Sequence, residues 1–142
     1  MIAVPFSATV PPSQATIGSV AFDLRASISV AIPIGSTAMV PTGLKFALPN
    51  GYAGLVCSRS GLATKGIFVT NAPGIVDSDY RGEVNAIITN LGVKDYVIEK
   101  GDRSAQLLIL GPHGLETDVH WVWNEKLEET RRGESGFGST GK

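Results

Sequence analysis

One cysteine in 142 residues, Cys57, excludes an intrachain disulfide framework and a cysteine-rich zinc centre. No apolar stretch approaches the roughly 20 residues that a membrane-spanning helix needs. The opening residues, MIAVPFSATVPPS, lack the basic flank and long apolar run of a signal peptide. A soluble, intracellular protein is expected, with cytoplasm, nucleus or an infected host cell all open. Neither sign of charge is in excess: 12 Lys and Arg against 13 Asp and Glu leave a formal net charge of −1. No overall field therefore gathers nucleic acid or an acidic membrane, and neither is expected as a partner. A bound polyanion would have to be held by a few arginines brought together locally. The two histidines, His113 and His120, have no metal-ligand spacing with any partner and read as structural.

What is present suits a single β domain. The chain is long enough for one real core and too short for two. Hydrophobic residues make up 43%, and 17 glycines and 8 prolines are scattered throughout, which fits short strands joined by tight turns. Alternation with β-branched residues predicts strands at 29–34, 54–57, 84–89, 105–110 and 119–122. Only two short helical candidates appear, the turn beginning at Ser60-Gly61-Leu62-Ala63 and the segment Glu125 to Thr130. Trp121 and Trp123 flank Val122 and share one strand face, in the core or in a subunit contact. Cys57 reads as a small buried hydrophobe. The fold class expected is an all-β sandwich or jelly roll over residues 1–131.

The last segment, 132–142, is different. Glycine at Gly133, Gly136, Gly138 and Gly141 gives it a large ordering entropy, and its single aromatic, Phe137, is odd for a linker. This pattern predicts a lid that folds on binding. Gly136 to Gly141 also spells the dinucleotide fingerprint GxGxxG and most of a phosphate loop. Both of those mechanisms need the loop between a strand and a helix, and Lys142 is the last residue, so neither fold is expected. The local physics survives: glycine amides with the hydroxyls of Ser139 and Thr140 suit phosphate oxygens.

Five segments in order bear on function: AFDLRAS (21–27), SRSGLATKG (58–66), NAPGIVDSDYRGEV (71–84), GDRSAQLLI (101–109) and RGESGFGSTG (132–141). Taken alone, Asp23 is a surface carboxylate before a strand turn, Ser60 an ordinary helix cap, and Asp77 a turn aspartate before Ser78-Asp79. Together the five resemble the five motifs of the trimeric all-β dUTPase family, and the resemblance spans most of the chain. It implies a jelly-roll-like β-clip fold and a homotrimer with shared active sites. It also implies Mg2+-assisted hydrolysis of dUTP to dUMP and pyrophosphate, which keeps uracil out of DNA and supplies dUMP for thymidylate synthesis.

The resemblance assigns roles residue by residue. Asp23 matches the aspartate that reaches the triphosphate-bound Mg2+ through water. Arg59, Ser60 and Gly61 resemble the triphosphate-binding turn, and Gln106 a phosphate-contacting glutamine. Asn71 to Asp79 reads as a β-hairpin with its turn at Pro73-Gly74. The backbone of Gly74, Ile75 and Val76 would bind uracil, with Asn71 adding a side-chain contact. Tyr80 matches the tyrosine packed against deoxyribose, and Asp77 the carboxylate that activates the attacking water. Arg132 resembles the γ-phosphate arginine and Phe137 the ring stacked over uracil, with Gly138, Ser139 and Thr140 closing on the phosphates. Asp79 and Arg81 are expected to support the hairpin and subunit contacts, and Asp102 and Arg103 to form structural ion pairs. The sequence departs from the family pattern at Ser58, at the adjoining Lys65-Gly66, at Ser104 and at Ser135. Two rival readings are a dCTP deaminase-like enzyme and a non-catalytic interaction protein on the same scaffold. The first needs a glutamate where Ile87 stands.

Overall fold

The computed structural model describes residues 1–138 and Gly141. Among them the chain runs through β1 (Ile2–Ser7), β2 (Phe22–Arg25), β3 (Val30–Ile32), β4 (Thr37–Pro41), β5 (Lys45–Phe46) and β6 (Ala53–Cys57). One helical turn, α1 (Ser60–Ala63), separates these from β7 (Ile67–Val69), β8 (Gly74–Asp77) and β9 (Asn85–Asn90). Then come β10 (Tyr96–Ile98), β11 (Arg103–Gly111), β12 (Gly114–Leu115) and β13 (Val119–Trp123). The all-β expectation holds, and each predicted strand is found within a few residues of its predicted limits.

The strands make four sheets. β11 is the hub of the largest: it pairs antiparallel with β2, β6 and β12, and β6 carries β8 on its other edge. β4, β9 and β7 form a second sheet, β13, β1 and β5 a third, and β10 with β3 a fourth. Alternation decides which side chains go inward. Along β11, Ala105, Leu107 and Ile109 are fully buried, whereas Gln106 and Leu108 face outward. Burying an aliphatic side chain of this kind contributes roughly 1.5–3 kcal/mol, and the core continues through Val4, Phe22, Ile32, Val40, Ile67 and Ile88. Gly54 marks one closely packed point. A Cβ there would stand 3.1 Å from Leu107, 3.2 Å from Phe46 and 3.3 Å from Val76. Asn90, fully buried, is satisfied by donating to the carbonyls of Ile32 and Lys94 and accepting from the Gly92 amide.

Four expectations need correction. Glu125 to Thr130 is not helical. Six residues cannot repay helix nucleation on their own, and Arg81 Nε takes the Glu128 carbonyl while Thr130 Oγ1 donates to the Asp79 carbonyl. Asn71 to Asp79 is not a hairpin either. β7 pairs with β9 and β8 with β6, so the turn between them carries the chain from one sheet to another. Cys57 is half-buried on the outward side of β6 rather than enclosed. Asp102 forms no ion pair among the described residues, its carboxylate capping the Glu99 amide, whereas Arg103 does pair as expected, reaching Asp23 at 3.7 Å. Trp121 and Trp123 do alternate on β13 but differ in depth. Trp121 meets the edges of Phe6, Phe22 and Phe46 at 5.4–6.0 Å, and Trp123 is exposed.

Candidate functional site

The turn after β7, strand β8 and the turn that follows line a cavity of about 220 Å³ with the end of the chain. Asn71, Gly74, Ile75, Val76, Asp77 and Tyr80 supply one wall, and Arg132, Gly136 and Phe137 another. The local sequence explains the arrangement. β8 alternates, so Gly74 and Val76 are buried against the core while Ile75 and Asp77 project outward. Gly74 also sits under Asn71: a Cβ there would meet the Asn71 amide at 3.2 Å. Tyr80 is buried and donates its hydroxyl to the Glu83 carbonyl at 2.8 Å. Burial, then the nearby Glu134 and Glu83 carboxylates, push its phenol above the ordinary tyrosine value. Ile87 lines the same cavity, so the position where deamination chemistry needs a carboxylate holds an aliphatic side chain that moves no protons.

The fifth motif lies on this wall and is tied down at its root. Arg81 receives the chain, its amide donating to the Gly133 carbonyl at 2.7 Å. Arg132 Nη1 donates to Asp77 Oδ2 at 2.5 Å and to Asp79 Oδ1 at 3.3 Å. The Asp77 bond pushes this guanidinium further up from its already high value, and its carbon lies 5.7 Å from the centre of the Tyr80 ring. Phe137 borders the cavity, half exposed, with a backbone φ of 52° that a non-glycine residue rarely adopts. Three residues toward the root, Glu134 accepts from Lys45 of β5 at 2.6 Å, which draws its carboxyl below the ordinary range. Sequence reasoning missed this pair, since 89 positions separate its members and Lys45 lies in none of the five segments. It also missed Val56, Glu83, Val84 and Asn85, which line the cavity as well. Ser139 and Thr140 lie outside the described residues.

The remaining candidates gather elsewhere. Asp23, Gln106 and Cys57 form one lateral row across β2, β11 and β6. Gln106 Nε2 donates to the Ser58 carbonyl at 2.9 Å, and Arg59 Nη1 to the Arg103 carbonyl at 3.1 Å. Ser58 fixes the approach to this turn, its hydroxyl accepting from the Val69 amide at 2.9 Å. Ser60 opens α1 without making a capping bond. Ser104 is buried and directs its hydroxyl to the Leu24 carbonyl. In the ladder, Asp77 stands opposite Ala53, whereas this row meets Cys57. Four residues of strand at ~3.3 Å each put Asp77 about 13 Å from the row. One chain thus holds two separate half-sites, both on the outward face of the same sheet. Among the described residues no group of three or more His, Cys, Asp or Glu side chains could cage a metal ion. Asp23 offers one oxygen-rich side chain, which is the donor a hydrated, ligand-borne Mg2+ accepts.

A family model described as dUTPase matches residues 8–141. The chain is 47% identical over 136 residues to the deoxyuridine 5'-triphosphate nucleotidohydrolase of Caulobacter vibrioides strain NA1000 / CB15N, covering 92% of this chain and 84% of that one. It is 46% identical over 133 residues to the protein of the same name from Rickettsia prowazekii strain Madrid E, covering 92% and 87%. Among solved structures, the native EIAV dUTPase superposes with a TM-score of 0.69 at 28% identity, over 88% of this chain and 99% of that one. The fold, the order of the five segments and these likenesses agree: the chain belongs to the dUTPase family.

Proposed function

We propose that this protein hydrolyses dUTP to dUMP and pyrophosphate, with Asp77 activating the water that attacks the α-phosphorus. The observation that carries the reading is the meeting of Asn71, Gly74, Asp77, Tyr80, Arg132 and Phe137 around one cavity. Uracil lies along the backbone of Gly74, Ile75 and Val76, with Asn71 as its side-chain partner and Phe137 over its face. A cytosine there would oppose donor to donor at N4 and acceptor to acceptor at N3, at ~1–3 kcal/mol for each unpaired group. A fitted backbone wall leaves no room for the thymine methyl group. Tyr80 stands against C2′, where a ribose hydroxyl would collide.

The phosphates call on the other half-site. Arg59 offers a planar fork of donors, Ser60 and Gly61 add a hydroxyl and an amide, and Gln106 adds its side-chain amide. Arg132 changes partner: bound to Asp77 in the free chain, it turns to the γ-phosphate when the nucleotide enters, releasing Asp77 for its water. Gly138, Ser139 and Thr140 close the remaining oxygens, so that 132–142 acts as a lid. Asp23 would be the side chain that holds a Mg2+ ion brought in with the triphosphate, and the ion would supply positive charge against the phosphate oxygens. Asp77 orients water in line with the leaving oxygen and accepts its proton, while the arginines stabilise the charge that develops.

A gap of about 13 Å between Asp77 and the Asp23–Gln106 row supports a homotrimer in which one chain's β8 wall faces another chain's phosphate half-site. Between the two, Leu108, Leu55 and Ile75 stand side by side on the outward face, an apolar strip suited to a second copy. The cellular role that follows is removal of dUTP, which keeps uracil out of DNA and yields dUMP for thymidylate synthesis. The test is product analysis with Mg2+ present. Pyrophosphate and dUMP from dUTP, with dCTP and dTTP left intact, is the expected result, and ammonia from dCTP would overturn the reading.

A further inference from the structure

We infer that Gly82 and Gly136 are specificity-positioning residues, whose missing side chains leave the space in which Tyr80 stands. Neither has the positive φ that would call for glycine on conformational grounds. Space is the reason instead. Gly82 is buried, and a Cβ on it would lie 2.5 Å from Tyr80 Cζ and 2.8 Å from Cε1. A Cβ on Gly136 would lie 2.9 Å from the same Cε1. The ring cannot yield freely, because it is buried and its hydroxyl is held by the Glu83 carbonyl at 2.8 Å. A methyl group at either position therefore drives the phenol off that hydrogen bond and away from its place in the cavity wall.

The two glycines come from different parts of the molecule. Gly82 belongs to the body and Gly136 to the fifth-motif segment, so the space around the Tyr80 ring is shaped by both, with Gly136 against the ring already in the nucleotide-free chain. This inference rests on the reading of Tyr80 as the residue that excludes a 2′-hydroxyl.

The experiment compares kcat/KM for dUTP and UTP in the full chain and in Tyr80→Ala, Gly82→Ala and Gly136→Ala, with circular dichroism and thermal midpoint as fold checks. The dUTP-to-UTP ratio should fall about tenfold in Gly82→Ala and about threefold in Gly136→Ala, the size of effect that one methyl in a close-packed wall produces. A general loss of stability would lower both substrates alike and leave the ratio unmoved. If Tyr80→Ala lowers the ratio and both glycine variants keep it, the inference is overturned while the role of Tyr80 stands. If Tyr80→Ala itself leaves the ratio unchanged, the sugar reading fails and takes the inference with it. Should Gly82→Ala fail to fold, Gly136→Ala decides, since Gly136 is only half-buried and lies on the fifth-motif segment outside the strands.

Discussion

Cys57 stands on the outward side of β6, and burial pushes its thiol above the ordinary value of 9.0. A raised value leaves less thiolate at any given pH, and the thiolate is the form that reacts. The folded state thus favours the protonated thiol, an advantage present below the ordinary value and lost as pH rises through the folded one. Alkylation by iodoacetamide at pH 8 should run slower than for a free cysteine, and an equal or faster rate would show that the thiol is not desolvated. At this scale the letters gave identities better than partners. Asp77, Asn71, Tyr80 and Phe137 were legible and do share one cavity. The Arg132 bond to Asp77 was not legible, nor the reach of Arg103 to Asp23. Long charged side chains choose partners in space, and the register of β11 against β2 shifts between Arg103 and Ala105.

The segment Glu125 to Thr130 shows what decides an element's fate. Its composition favours helix, yet its backbone carbonyl at Glu128 is claimed by Arg81 and its Thr130 hydroxyl by Asp79. Tertiary bonds fix it as an extended approach to the fifth motif. The strands were legible because period-two alternation is local, whereas the partners of β7 and β8 were not, since a turn looks the same whether its strands pair together or part. The lid root makes a prediction at this scale. The hydrogen bonds of Thr130, Arg132 and Gly133 to the body run to residues 77–81, whereas Glu134 reaches Lys45. Glu134→Ala should therefore speed tryptic cleavage after Arg131 or Arg132 in the nucleotide-free protein, read by mass spectrometry against time. An unchanged rate would show that the tie does not hold the root. With its carboxyl drawn down by Lys45, the pair persists at and above the ordinary glutamate value of 4.5 and is lost only as pH falls through the lower folded value.

Leu107 anchors the whole molecule at the centre of the largest sheet, fully buried. Leu107→Ala should cost roughly 2–5 kcal/mol in urea unfolding, and a loss below about 1 kcal/mol would place the core elsewhere. Assembly makes a sharper prediction. If one chain's Asp77 works with another chain's Arg59, then Asp77→Asn and Arg59→Ala, each inactive alone, should regain part of the activity when unfolded and refolded together. No recovery would mean that each site is built from a single chain. The fold and family were legible in the order of five segments. That sites are shared between chains was implied by the resemblance, but which residues fall in which half was not, because that is a matter of strand register, which the sequence leaves unwritten.

The central claim concerns one carboxylate, and one comparison tests it: pyrophosphate release from dUTP by the wild-type chain and by Asp77→Asn, beside dUTP binding measured by calorimetry. A general base contributes typically 10²- to 10⁴-fold, so turnover should drop by about that factor while binding persists. Undiminished release from the Asp77→Asn protein would contradict the mechanism.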